Sequence, residues 1–409
     1  MVQTAPSIPW SRRLLLASLC AAAVANVYYA QPLLGQIGID LGFDASQVGW
    51  IVAAGQAGYL VGLVLLVPLG DRLPRRTLIA LQLGAAAVSL SLAASAGGAA
   101  SLLIALALTG LFSVVVQVVV AYTAALSSDA DRGRNLGVVT GGVVIGIVLA
   151  RTVSGAVADL AGWRTVYTGS AGLLLLLAIV ALLRLPTQHP ASTPFSYRSA
   201  VLSVYTWTRT SRVFRTRALI TLFLFASFGT LWSGMVLPLA DAPWQLSTAQ
   251  IGLFGIGGLV GALGATRAGR WADRGHGERV TGLSLVLLLG SWLLIGQVAD
   301  SLVLFLIGVV ILDFAVQAVQ VSSQHRIVTD APASGSRVIG SYMVYYSVGS
   351  GLGAVATTAL YAGGGWAAVT LLGAAFAGAA LLIWLVDRVV PMRIEPHREG
   401  GVVALMQQG

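Results

Sequence analysis

The sequence has few charged residues, one cysteine and no lysine. Charged residues make up 10% of the 409 residues, whereas soluble proteins usually carry about 25%. The 24 basic residues are all arginine. The single cysteine, Cys20, excludes an internal disulfide framework and a metal site built from cysteines. This composition argues against a soluble, disulfide-stabilised or zinc-binding domain.

Catalytic and cofactor-binding motifs are missing as well. The sequence contains no glycine-rich phosphate-binding loop of the Walker type, which argues against ATP as an energy source. Its four histidines do not have the spacing of metal ligands, and no Ser/His/Asp set lies within the apolar segments. We therefore expect a protein that is not an enzyme and that binds no cofactor or metal.

Long apolar runs dominate the sequence instead. Hydrophobic residues make up 57% of the chain, and its mean hydropathy is +0.86. A helix needs about 20 apolar residues to cross a bilayer. Twelve such runs, here called spans 1 to 12, follow one another between residues 14 and 387. The sequence therefore predicts an all-α polytopic membrane protein with twelve transmembrane helices in a lipid bilayer.

The arginines lie at alternate ends of the spans. They occur before span 1 at Arg12, after span 2 at Arg72, after span 4 at Arg132 and throughout residues 198–217, whereas the opposite loops contain only Arg164. According to the positive-inside rule, this arginine-rich side is cytoplasmic. We therefore predict a bacterial inner-membrane protein with both termini in the cytoplasm. The same distribution explains the net charge of +9 without a nucleic-acid partner.

A polar segment rich in Pro, Ser, Thr and Arg divides the spans six and six. We predict an N-terminal six-helix bundle over 1–185, a cytoplasmic linker over 186–216 and a C-terminal six-helix bundle with a short tail over 217–409. The two halves match at an offset of 203 residues. The matches include Gly55, Gly58, Gln117, Arg134 and Trp163 with Gly258, Gly261, Gln320, Arg337 and Trp366. This repeat predicts two pseudo-symmetric bundles with the same topology.

A charged motif occurs at corresponding loops of the two halves. It reads V-P-L-G-D-R-L-P-R-R over residues 67–76 and G-R-W-A-D-R-G-H-G-E-R over 269–279. Both copies resemble the signature loop of the major facilitator superfamily, which implies the major facilitator fold and transport by alternating access. An aspartate at a helix end can pair with arginines and with helix N-terminal amides, so we predict cytoplasmic gating loops; alternatively, the arginines only set the topology. The predicted gating residues are Asp71, Arg72, Arg75, Arg76, Gly269, Asp273 and Arg274.

Span 5 resembles the signature of the drug:proton antiporters within that superfamily. Gly137, Gly146 and Gly155 follow its spacing, and Arg151 stands where the signature has proline. The resemblance implies proton-coupled efflux of small organic compounds, with the proton gradient as the energy source, and we expect a monomer. Two alternatives stay open. One is proton-coupled uptake or facilitated exchange of a small metabolite, and the other is a transporter-like sensor or lipid-handling membrane protein.

Two ionisable residues lie deep in the spans. Asp313, the only acidic residue at such depth, shares one face of span 10 with Gln317 and Gln320, since residues at i, i+4 and i+7 of a helix point the same way. Arg151 lies at a similar depth in span 5. We predict that Asp313 and Arg151 carry out proton coupling, because burial favours the neutral acid and a nearby guanidinium favours the carboxylate. Three roles of Arg151 are compatible with the sequence: a direct or substrate-bridged pair with Asp313, capping of backbone carbonyls, and binding of an anionic substrate.

Polar and aromatic residues within the spans form the predicted substrate cavity. Aromatic rings with a few amides and hydroxyls suit amphipathic organic molecules, although the glutamines of span 10 could instead form hydrogen bonds between helices. The predicted substrate is therefore a small molecule. The candidate cavity residues are Asn26, Tyr29, Gln36, Gln117, Trp232, Gln317, Gln320, Tyr342, Tyr345 and Tyr346.

Overall fold

The regular structure of the protein is helical. The structure is a computed structural model that describes residues 8–128, 131–188, 197–271, 275–331 and 335–389. Within these ranges its regular elements are helices, with no strand. The predicted all-α polytopic fold is therefore confirmed.

The first half of the chain runs from α1 to α8. These helices are α1 (Trp10–Tyr28), α2 (Ala30–Leu41), α3 (Gly49–Leu65), α4 (Arg75–Ala94), α5 (Ala99–Ser113), α6 (Val115–Leu126), α7 (Arg132–Ala161) and α8 (Trp163–Arg184), with a short 3-10 helix, Val67–Asp71, between α3 and α4. Span 1 is divided into α1 and α2, whose axes differ by 41°. The bend arises because Pro32 has no amide hydrogen to donate back to the carbonyl of Tyr28.

The linker and the second half contain the later helices. They are α9 (Tyr197–Val201), α10 (Ser203–Thr210), α11 (Arg212–Gly234), α12 (Val236–Ala240), α13 (Thr248–Trp271), α14 (Gly277–Ile295), α15 (Leu302–Asp330) and α16 (Gly335–Val389). Helices α9 and α10 lie within the predicted linker. Helix α11 begins at Arg212, so residues 212–216 belong to a helix that enters the second half.

The described helices follow the predicted order of spans. Among the described residues, nine helical segments are long and apolar enough to cross a membrane, and the bent pair α1–α2 makes a tenth. Three of the nine join consecutive elements: α3 with the 3-10 helix, α5 with α6, and α11 with α12. Helix α16 contains two crossings, because beyond Gly365 it runs back along α14: Trp366 donates to the carbonyl of Ile295 at 3.0 Å, and Trp384 donates to Glu278 at 3.3 Å. Helix α13 supplies another crossing with a shorter apolar segment, Thr248–Gly261.

The internal repeat is visible in how the helices pack. In the first half, a Cβ at Gly58 of α3 would lie 1.7 Å from the carbonyl oxygen of Ala107 in α5. In the second half, a Cβ at Gly261 of α13 would lie 2.6 Å from the carbonyl oxygen of Val310 in α15. The two contacts correspond at the offset of 203 residues. Small residues allow backbones to touch, and this close packing is how helices associate in lipid.

Replacing Gly58 with alanine should destabilise the first half, because the added methyl group would force α3 and α5 apart. Overpacking of a tight contact costs about 1–3 kcal/mol. Thermal unfolding of the purified protein in detergent, followed by tryptophan fluorescence, should therefore show a lower midpoint for Gly58→Ala than for the unchanged protein.

The matched control is Gly84→Ala in α4. Nothing lies within 4 Å of a Cβ at this position, and alanine is a better helix former than glycine. Its midpoint should be unchanged or raised. Equal midpoints for the two variants would contradict the close approach at Gly58.

Candidate functional site

Arg151 of α7 lies between the two halves, with 2% of its surface exposed. Its Nε donates to Gln31 Oε1 at 2.7 Å. Its guanidinium carbon lies 3.5 Å from the ring centroid of Trp232, 5.1 Å from that of Tyr28 and 5.6 Å from that of Phe228. Gln31 and Tyr28 belong to the first half, whereas Trp232 and Phe228 belong to the second. Since aromatic faces attract cations, both halves hold this guanidinium.

Asp313 of α15 lies at the N–H edge of the Trp232 indole. Its Oδ1 accepts a hydrogen bond from Trp232 Nε1 at 3.1 Å, and 5% of the residue is exposed. The fold therefore brings together Arg151 and Asp313, the two residues predicted for proton coupling. They form no direct ion pair in this conformation; instead Trp232 contacts both, with its ring face against the guanidinium and its indole N–H on the carboxylate.

Glycines of α13 allow both charged residues to approach this helix closely. A Cβ at Gly252 would lie 2.5 Å from the carbonyl oxygen of Arg151, and a Cβ at Gly258 would lie 2.1 Å from Asp313 Oδ2. A larger residue at either position would displace α7 or the carboxylate. Helix α13 therefore fixes the positions of both charges with two small residues.

Span 1 presents polar residues on two opposite faces. The Asn26 amide oxygen and the Tyr29 hydroxyl hydrogen-bond to Ser170 Oγ of α8, at 3.0 and 3.2 Å. These two predicted cavity residues therefore face the interior of the first half, which corrects the predicted lining. Tyr28 and Gln31 face Arg151 instead, since positions two apart on a helix differ by about 200°. In the sequence, the spacing of Tyr28 and Gln31 at i and i+3 indicates that both lie on this second polar face of the helix.

The three predicted tyrosines of span 11 contact different parts of the protein. The Tyr346 hydroxyl lies 2.5 Å from the hydroxyl of Tyr28, beside the central site. Tyr345 hydrogen-bonds to Thr208 of α10 at 2.8 Å, and Tyr342 hydrogen-bonds to α11 within the second half. Tyr342 and Tyr345 therefore do not face Arg151, because successive positions on α16 meet different helices.

A cavity lies between the halves on the arginine-rich side. Residues of α3, α6, α10 and α16 line it, together with the 3-10 helix. Gln117 is one of these residues and donates to the hydroxyl of Tyr59 at 3.3 Å; the Tyr59 ring packs edge-on against Tyr346, 6.5 Å between centroids. These aromatic rings separate the cavity from Arg151. Gln317 and Gln320, the other predicted glutamines, are half-buried on α15 and do not line this cavity.

The predicted gating loop of the first half makes contacts within its own half and with the linker. Asp71 accepts from Arg75 at 3.1 Å, Arg76 donates to a carbonyl at the end of α8 at 3.3 Å, and Arg72 lies 5.4 Å from the ring centroid of Tyr197 in α9. These contacts do not join the two halves. They are therefore compatible with a cavity at this end of the molecule.

The second predicted gating loop is only partly described. Gly269 lies within α13, whereas Asp273 and Arg274 lie outside the described residues. Their gating role therefore stays a prediction.

The two halves contact each other on the arginine-poor side. Asp159 Oδ2 accepts from the backbone N–H of Ala249 at 2.8 Å, at the N-terminus of α13, where a carboxylate also interacts favourably with the helix dipole. Gln36 donates to Thr248 at 2.9 Å and to Asp159 at 3.3 Å. A second contact joins α3 to α16, where the N–H of Gly49 donates to a threonine at 3.3 Å. The protein is closed here, and Gln36, a predicted cavity residue, belongs to this closure.

Arg151 differs from another buried arginine in how its charge is compensated. Arg217 has 3% of its surface exposed, but it pairs with Glu278 near the arginine-rich end of α11. Among the described residues, no carboxylate forms an ion pair with Arg151, and its Nη2 has no hydrogen-bond partner. The central site therefore contains a buried carboxylate and an incompletely bonded cation among aromatic rings.

Comparisons with known proteins agree with this architecture. A family model described as Major Facilitator Superfamily matches residues 14–350 and 234–407. The uncharacterized transporter YgaY of Escherichia coli O157:H7 is 40% identical over 370 residues, 90% of this chain and 94% of that protein. The inner membrane transport protein YnfM of Escherichia coli K12 is 26% identical over 267 residues, 64% of this chain and 63% of that protein. The fold is shared with a bacterial homologue of the human lysosomal transporter Spinster, solved in an inward-facing and occupied conformation, with a TM-score of 0.71, 15% identity and 93% coverage of both chains.

Replacing Asp159 with alanine should weaken the closure on the arginine-poor side. Loss of a helix N-terminal hydrogen bond costs about 1 kcal/mol, which corresponds to about a fivefold increase in the open population. In a Cys20→Ser background, Met235→Cys would place the only thiol beside Arg151, where Met235 is buried. A membrane-impermeant maleimide added from the arginine-poor side should label this thiol about fivefold faster in Asp159→Ala.

Asp44→Ala provides the control for this measurement. Asp44 is exposed in a loop on the same side. Its removal changes the surface charge by the same amount as Asp159→Ala, and it should leave the labelling rate unchanged. If Asp159→Ala and Asp44→Ala gave the same rate, Asp159 would not hold the closure.

Proposed function

This chain belongs to the Major Facilitator Superfamily, and we propose that it is a proton-coupled transporter of small organic compounds in which Asp313 carries the proton. Its family consists of secondary transporters that span the membrane and bind small-molecule substrates within it. The chain is therefore a transporter and not an enzyme. The proposal concerns the coupling ion, the residue that carries it and the kind of substrate.

The observation that carries this proposal is a buried acid beside an incompletely bonded buried cation. Asp313 is the only buried acidic side chain among the described residues. When the carboxylate of Asp313 is ionised, its negative charge balances the positive charge of Arg151. When the carboxyl group is protonated, the site has a net positive charge from Arg151. Uncompensated charge is costly in a low-dielectric interior. Protonation therefore changes which arrangement of the two halves is stable, as proton coupling requires.

The arrangement of contacts between the halves supports alternating access. Hydrogen bonds of Asp159 and Gln36 join the halves on the arginine-poor side, whereas on the arginine-rich side a cavity of about 60 Å³ lies between them. Rocking of one half against the other would break the first set of contacts and close the cavity. The central site lies between these two ends, so its access would change from one side to the other.

We place the protein in the inner membrane of a bacterium, with the arginine-rich side and both termini in the cytoplasm. The positions of the arginines support this orientation, and the similarity to an inner membrane transport protein supports the location. In this orientation, the conformation described here is closed to the periplasm.

Export in exchange for protons is the direction implied by the resemblance of span 5. The small residues of that span are used for close packing. A Cβ at Gly146 would lie 2.4 Å from the carbonyl oxygen of Ala21 in α1, and a Cβ at Gly155 would lie 2.4 Å from that of Thr248 in α13. Uptake together with protons is the competing direction.

Asp313→Asn should uncouple proton movement from transport, because an amide keeps the shape of the acid but cannot take up or release a proton. Vesicles containing the purified protein and an internal pH indicator would be exposed to a panel of small organic acids, amines and neutral compounds. We expect compound-dependent proton flux with the unchanged protein and its loss, by about tenfold or more, in Asp313→Asn.

Asp300→Asn is the matched control, since Asp300 is an exposed aspartate outside the central site. It should retain the proton flux. Persistent flux in Asp313→Asn would show that another group carries the proton. Movement of a compound without any proton flux would instead support facilitated exchange.

A further inference from the structure

We propose that Arg151 binds the carboxylate of an organic anion, and that this anion loads together with the proton on Asp313. The proton step of this inference rests on the proposed function. The recognition step rests on the bonding of Arg151 itself and can be tested separately.

The guanidinium of Arg151 is buried, and not all of its N–H groups have hydrogen-bond acceptors. Its Nε is bonded to the amide oxygen of Gln31, and its Nη2 is buried without any partner. Its remaining close contacts are the faces of Trp232, Tyr28 and Phe228. A buried donor left without an acceptor costs about 1–3 kcal/mol, and more for a charged group. An acceptor supplied by a ligand would remove this cost.

The chemistry of the surroundings indicates which ligand fits. An arginine presents its N–H groups as a planar fork that matches a carboxylate with two parallel hydrogen bonds. A pocket beside the guanidinium is lined by Gln31, Pro32, Trp232, Met235 and Ile251. Apolar and aromatic side chains of this kind accommodate a hydrocarbon or ring attached to the carboxylate. The chemistry of the site therefore matches a small organic monocarboxylate, and the pocket, about 10 Å³ in this conformation, must widen by movement of the halves to admit one.

The charge of Asp313 decides when such an anion can bind. With Asp313 ionised, the site is neutral before the anion arrives and negative afterwards. With Asp313 protonated, the site is positive before the anion arrives and neutral afterwards. Because uncompensated buried charge is unfavourable, the anion binds more tightly to the protonated site. By linkage, the proton also binds more tightly when the anion is present.

Few other groups can contribute to this dependence on pH. The charged group that interacts with Asp313 is Arg151; the phenol of Tyr28 interacts with both, and the phenol of Tyr346 interacts with Arg151. Helix α13 presents Gly258 and Gly261 to Asp313, and α11 presents Trp232; none of these three residues titrates. The pH dependence of anion binding therefore reports on Asp313.

Joint loading has a consequence for the direction of transport. A proton and an anion that occupy the site together also cross the membrane together. For this class of substrate, the charge balance favours proton-coupled uptake over export in exchange for protons.

The recognition step can be tested by binding of benzoate and phenylacetate to the purified full-length protein in detergent. Their uncharged amides and the corresponding amines serve as matched ligands. Binding would be measured by quenching of tryptophan fluorescence and by the shift of the thermal unfolding midpoint. We expect the carboxylates to bind and the amides and amines to bind at least tenfold more weakly. Arg151→Gln should weaken carboxylate binding by about tenfold or more, and Arg151→Lys, which keeps the charge but loses the fork, by a smaller factor.

Asp313→Asn tests joint loading through a gain of binding, which a misfolded protein cannot show. The unchanged protein should bind carboxylates more weakly at alkaline than at acidic pH. Asp313→Asn, which resembles the protonated acid, should bind them equally at both and more tightly than the unchanged protein at alkaline pH. Asp300→Asn should retain the original pH dependence.

Each outcome decides one part of the proposal. Three results would overturn the anion site: equal binding of carboxylates and amides, undiminished carboxylate binding in Arg151→Gln, or no carboxylate binding at millimolar concentration. Each of them would leave the proton role of Asp313 standing. If Arg151→Gln lost binding but Asp313→Asn kept the original pH dependence, joint loading and the proposed proton carrier would be overturned. The anion site would stand.

Discussion

A guanidinium buried between two apolar bundles is the constraint on which the rest of the structure depends. Arg151 is held by an amide oxygen and by three aromatic rings that come from both halves. Without such compensation a buried charge costs several kcal/mol. Any movement that separates the halves must therefore supply the charge with water or with another acceptor. This requirement links the occupancy of the central site to the positions of the two bundles.

The internal repeat explains why the buried carboxylate occurs in one half only. Asp313 corresponds to Gly110 at the offset of 203 residues. In the first half, a Cβ at Gly110 would lie 1.9 Å from the carbonyl oxygen of Gly55, so the helices leave no space for a side chain. In the second half, Gly258 occupies the position of Gly55 and packs against the carboxylate of Asp313. A helix contact common to both halves thus accommodates an acid in one and only glycine in the other.

The two ends of the interface are built from different kinds of contact. On the arginine-poor side, Asp159 caps α13 of the other half, and glycines let the backbones touch. On the arginine-rich side, Asp71 and Arg75 bond to each other within one loop, and a cavity separates the halves. Hydrogen bonds and small-residue contacts in lipid contribute little each. A closure made of a few of them can open without disrupting the bundles, whereas the packing inside each bundle is extensive.

The sequence by itself determined the helical class, the order of the spans and the depth of Arg151 and Asp313, because apolar length and residue position are properties of short segments. The sequence predicted Asn26 as a cavity residue. In the structure, however, Asn26 faces α8, and it is Gln31, on the other face of span 1, that bonds to Arg151. A helix with polar residues on two faces does not specify which face meets its partner. Only the tertiary structure decided that face, and only it brought Trp232 into contact with both charged residues. Both depend on contacts between helices far apart in the chain, which no local pattern encodes.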